Sequence, residues 1–165
     1  MTYRSPIEIL NQELAHQPPV DLEKLASQLG LSVRYKSDFP PNISGKIAPS
    51  ATRESQSGYE ILVNANDHRQ KQRLTLAHEI AHYVLHRDLI GDGVTDTDDY
   101  RSELGEARER EAKNFAVEIL LPAQVILSHV DKQDLDHAAD TLGRAFEVSP
   151  LAMERRLADL GIKSG

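Results

Sequence analysis

Cysteine is absent from the 165-residue chain. That excludes disulfides, thiolate metal sites and a cysteine nucleophile, so any metal would have to be held by His, Asp or Glu. Long apolar runs are missing as well, and nothing approaches the roughly 20 residues a membrane-spanning helix needs. Residues 1–10 (M-T-Y-R-S-P-I-E-I-L) contain no signal-peptide core, which makes the cytoplasm the expected compartment. Positive charge is scarce: 19 Lys and Arg stand against 26 Asp and Glu, a net charge of −7. Phosphate contact needs basic surface, so this balance argues against nucleic-acid binding. The composition is 39% hydrophobic, and the length suits one domain with its own core, expected over residues 1–165.

The chain is organised around residues 74–86, L-T-L-A-H-E-I-A-H-Y-V-L-H. Leu76, Ala77, Ile80, Ala81, Val84 and Leu85 recur at helical spacing, with no Gly or Pro to interrupt them. Within this stretch, residues 78–82 read H-E-x-x-H. Positions four apart on a helix share a face, so His78 and His82 can reach one ion. Glu79 projects about 100° away from His78, where it suits a base acting on a metal-activated water. The five residues also sit inside an apolar helix, where uncompensated polar groups are costly. Two unrelated surface histidines are therefore the poorer reading.

Around this helix the chain alternates helices and short strands. A helix is expected over 5–16, ended by Pro18 and Pro19, and a second over 22–29, capped by Asp21 and stopped by Gly30. Strands are expected at 31–35, 43–48 and 59–63, the last two as a hairpin. The long helix spans 69–86. The acidic stretch 88–103 reads as a solvated loop, or, in its functional version, as a mobile flap over a cleft. Helices resume at 103–121, 123–129, 135–146 and 149–160. The fold expected is α+β: a three-stranded sheet packed on the active-site helix, plus a helical C-terminal part.

A catalytic zinc site has three protein ligands and a water, so a third ligand is needed. The H-E-x-x-H-x-x-G-x-x-H pattern would place Gly at 85 and His at 88, where this chain has Leu85 and Asp88. His86 lies a further turn along, and three successive turns do not converge on one ion. It is expected to cap the helix's C-terminal end. On the helix 103–121, Glu109 falls about 50° from the apolar centre and Glu111 about 110°. Glu109 is thus the preferred third ligand and Glu111 the fallback. Tyr59, Tyr100, His86 and His129 are the candidates for stabilising an oxyanion.

The segments R-L-T-L-A-H-E-I-A-H-Y-V-L-H at 73–86 and E-R-E-A-K-N-F-A-V-E-I-L-L-P at 109–122 together resemble the ImmA/IrrE family of metallopeptidases. Members show an R-F-T-x-A-H-E-x-x-H helix followed by an E-x-x-A-N-x-F-A-x-x-L-L-x-P helix. Departures fall at Leu74, where the family has Phe, and at Lys113, where it has Asn. The resemblance extends more loosely to 20–30, 59–63 and 146–157. It implies a zincin-like core with His78, His82 and Glu109 as metal ligands and Glu79 as the catalytic acid/base. Zn²⁺ is the expected ion, with Mn²⁺ or Fe²⁺ compatible with the same ligands. The resemblance further implies a cytoplasmic endopeptidase that cleaves a partner helix-turn-helix repressor, releasing stress or mobile-element genes. Only a short helical C-terminal part would follow the peptidase module, with no length for a separate sensor domain.

Two other functions fit the same residues. One is a protein that binds a regulator without cutting it, as a sequesterer or toxin–antitoxin component; the other is a metal-stabilised structural domain. Residues 131–165 have a helix-turn-helix cadence. The second helix, however, has only Arg155 and Arg156 as bases, against Glu154 and Asp159, and residues 131–147 hold five acids (Asp131, Asp134, Asp136, Asp140 and Glu147), which favours packing or partner docking over DNA contact.

Overall fold

The computed structural model describes Glu8, Ile9, Gln12 and residues 17–50, 55–97 and 105–162. Most of the helix expected over 5–16 lies outside these residues, although Glu8, Ile9 and Gln12 are helical. The first complete helix is α1, Leu22–Gln28, opened by Asp21, whose carboxylate accepts from the Lys24 amide at 3.0 Å. That bond satisfies one of the amides left over at a helix start. Three strands follow: β1 (Ser32–Lys36), β2 (Ile43–Pro49) and β3 (Tyr59–Asn64). The long helix α2 spans Arg69–His86 and is capped by the His68 ring, which accepts from the Lys71 amide. Beyond a 3-10 turn at Arg87–Leu89 come β4 (Val94–Thr97), α3 (Glu106–Leu120) and α4 (Ala123–His129). A second 3-10 turn (Leu135–His137) leads into α5 (Ala138–Phe146), and α6 (Pro150–Asp159) completes the described elements.

The sheet has four strands in the order β1-β3-β2-β4, one more than expected from the sequence. β2 and β3 form the antiparallel pair anticipated, with Ile47 opposite Ile61. β1 then joins the far side of β3 in parallel, which makes β3 an interior strand. The addition is β4, antiparallel to β2 across an irregularity between Ile43 and Gly45. It lies within the stretch expected to be a loop or flap; residues 98–103 of that stretch fall outside the described ones. Its docking residue is Val94, 1% exposed within the acidic stretch. One buried side chain and a vacant edge on β2 suffice to pair a short strand.

Helix α2 packs on α3 and on β2 and β3, the sheet supplying Ile47, Ile61 and Val63 to the common core. Of its apolar positions, Leu76, Ala77, Ile80 and Ala81 are buried, whereas Leu85 is exposed. At Gly45 the sheet comes close enough to α2 that a Cβ there would lie 2.5 Å from Thr75 Cγ2 and 2.9 Å from the Leu62 carbonyl oxygen. Only glycine permits that approach. At the other end, Glu147 adopts a left-handed conformation (φ 57°) just past α5. Its carboxylate binds Arg69 at 3.1 Å and Arg73 at 3.3 Å, fastening the C-terminal helices to the start of α2.

Candidate metal centre

Three side chains of the sequence reading meet at the α2–α3 contact. His78 Nε2 lies 2.9 Å from Glu109 Oε2, and His82 Nε2 lies 3.1 Å from Glu109 Oε1. The carboxylate therefore faces both rings, one oxygen to each. His78 and Glu109 are each 5% exposed and His82 is fully buried. Within this trio, one ligand atom from each residue lies within 4.8 Å of the others. The helical spacing explains the histidine pair, and the inward tilt of Glu109 on α3 explains the third member.

These residues fit a divalent cation on two counts. Ligand atoms about 2.05 Å from a tetrahedral ion stand about 3.3 Å apart, close to the spacings seen here. The His82 Nε2–Glu109 Oε1 approach also lacks hydrogen-bond geometry, although the nitrogen is buried. Two buried imidazoles and a carboxylate with ligand atoms this close are the donor set a divalent cation takes.

Glu79 follows His78 on the same turn and is fully buried, its Cγ turned toward β2 at Gly45. The other residues singled out in the sequence have different settings. Glu111, the fallback ligand, is outside the trio; its half-exposed side chain bonds to His86 Nε2 at 3.0 Å and Arg108 Nη1 at 3.1 Å. The His86 bond, with Arg108 adding to it, holds the Glu111 carboxyl below its ordinary pKa. His86 is 3% exposed and stands with Nδ1 3.3 Å from His82 Nδ1. It therefore turns inward along α2, between His82 and Glu111, instead of capping the helix end as expected. Sequence reasoning missed this link. The sequence signals it through the continued four-residue spacing 78, 82, 86, which puts all three imidazoles on one face of α2.

Among the oxyanion candidates, His129 contacts Val125, Ser128 and Gln17. The Tyr59 ring packs against Tyr83, with centroids 5.9 Å apart. Tyr100 lies outside the described residues.

An H-E-x-x-H helix that meets a glutamate of the following helix, with a small mixed sheet packed against it, is the arrangement of a zincin-like metallopeptidase core. The comparisons with known proteins agree. The chain belongs to the Peptidase_M78 family: the IrrE N-terminal-like domain matches residues 26–158. No curated protein matches it. A solved Mycobacterium tuberculosis transcriptional regulator has a similar fold, with a TM-score of 0.59 and 21% identity, over 93% of this chain and 46% of that one. This chain thus spans about half the length of that relative. Among the described residues, no helix is long and apolar enough to cross a membrane.

Proposed function

We propose that this protein is a metal-dependent endopeptidase whose substrate is a partner protein, a helix-turn-helix transcriptional repressor. The observation that carries the reading is the buried convergence of His78, His82 and Glu109 beside Glu79 in a chain of this family. His78 and His82, through Nε2, and Glu109, through its carboxylate, would hold the ion, Zn²⁺ by default with Mn²⁺ or Fe²⁺ compatible. When bound, such an ion polarises the scissile carbonyl and lowers the pKa of the attacking water. Glu79 takes that water's proton and later delivers it to the leaving amine, acting as base and then acid.

Substrate binding by strand addition must use an open edge. β3 is interior and offers none. Among the described residues the open edges are β1 and β4, and β4 pairs with β2, the strand that comes close to α2 at Gly45. The substrate is therefore assigned to β4. Cleavage that survived proline substitution at every position of 94–97 would count against this placement.

The reading is tested by incubating the protein with the repressor encoded beside it, with and without a chelator, and recording masses. Two new fragments that sum to the repressor plus one water, absent with chelator, are expected. An intact repressor under both conditions would refute the reading.

A further inference from the structure

His86 is a buried imidazole that the proposed chemistry does not use. It lies one turn past His82, with Nδ1 3.3 Å from His82 Nδ1 and Nε2 3.0 Å from Glu111 Oε2. Glu111 in turn accepts from Arg108 at 3.1 Å. A contact between two imidazole nitrogens is favourable only if one carries a proton and the other a lone pair. The Glu111 carboxylate only accepts, so His86 Nε2 must carry the proton donated to it. With its single proton on Nε2, His86 offers Nδ1 as a lone pair, and the 3.3 Å contact is then completed by an Nδ1–H of His82. The His82 proton is thereby placed on Nδ1, leaving a lone pair on Nε2, the nitrogen that faces Glu109. The reverse order would put a proton on His82 Nε2 and remove it as a ligand.

We propose that His86 and Glu111 are positioning residues that fix the tautomer and ring orientation of His82, presenting Nε2 to the metal. Partners of this kind orient a ligating histidine and raise its basicity, and losing one costs about 10- to 100-fold in metal affinity. The inference rests on the metal reading above and goes beyond it by giving Glu111 and His86 separate roles. Arg108 extends the same series of contacts, its Nη1 donating to Glu111 Oε1 at 3.1 Å.

The test is Zn²⁺ affinity of the metal-stripped full-length protein, measured by competition with a chromophoric chelator, for wild type, His86→Phe, His86→Gln, Glu111→Ala and Glu111→Gln. Phe keeps a ring but supplies no acceptor for His82, while Gln retains a carbonyl that can accept. The expected result is a stoichiometry of one throughout, with affinity weakened about 10- to 100-fold in His86→Phe and Glu111→Ala and largely restored in both Gln variants. Long-range proton–nitrogen spectra of the stripped wild type should show His82 protonated at Nδ1. If His86→Phe fails to fold, Glu111→Ala decides, because its side chain is half-exposed. Unchanged affinity in Glu111→Ala, or His82 protonated at Nε2, would overturn the inference while leaving the metal site standing. A wild type that binds no ion would overturn both.

Discussion

Glu109 and His78, 31 positions apart in sequence, are buried against one another with 2.9 Å between Oε2 and Nε2. Beside them lies an apolar cluster to which α2 gives Leu76, Ala77, Ile80 and Ala81 and α3 gives Ala112, Ala116 and Ile119. An ion that binds only the native state adds stability by mass action, about 2.7 kcal/mol when free ion is 100 times Kd. For a chain of this length that amounts to a Tm shift of about 5–10 °C. Chelation should therefore lower Tm by about that amount while circular dichroism at room temperature stays native. Unfolding upon chelation would indicate the structural-metal role instead.

Glu79→Gln separates cutting from holding. The amide is nearly isosteric but cannot take up the water's proton. We expect cleavage to fall by about 10²–10⁴-fold, with metal stoichiometry unchanged. A protein that acted only by sequestering its regulator would lose nothing in this variant. Paired measurements of cleavage rate and bound metal decide between the two.

Gly45→Ala tests the close approach of β2 to α2. The added methyl would meet Thr75 Cγ2 at 2.5 Å and the Leu62 carbonyl oxygen at 2.9 Å, so the strand must move away from the helix. Overpacking of this kind costs about 1–3 kcal/mol. Adding Thr75→Ser removes the first clash but not the second and should recover only part of the loss in denaturant unfolding. Full recovery would mean that Leu62 does not limit the approach.

Much of this arrangement was legible in the sequence because it depends on local periodicity. The bounds of α2 and α4 follow from apolar spacing and punctuation, and Glu109 from its angle on one helix. Features set by contacts distant in the chain were not legible. The V-T-D-T strand is anchored by buried Val94 and looks like solvated loop until β2 offers it an edge. Whether β3 is an edge depends on β1 returning in parallel to its far side, which the hairpin signal does not encode. The His86–Glu111 bond depends on how α2 and α3 are rotated against each other, and the two helices' patterns taken separately do not specify that.

Tyr35 supplies a pH prediction. Its phenol is pushed up to about 12 by burial, by its 2.7 Å hydrogen bond to Glu23 and by that carboxylate's charge. The folded pKa lies above the unfolded value of 10.0, so the stabilisation is fully present below pH 10.0 and lost as pH rises toward about 12. The stability advantage of wild type over Tyr35→Phe should shrink across that window, as followed by urea unfolding. A constant difference would show that the two states share one pKa.

The most direct test of the central claim is the number and affinity of Zn²⁺ ions bound by metal-stripped protein, measured by titration calorimetry on wild type and on His78→Ala, His82→Ala and Glu109→Ala. The account predicts one ion per wild-type chain. Each substitution should weaken binding by more than the roughly 100-fold limit expected for outer partners. Glu109→Ala binding as tightly as wild type would contradict it.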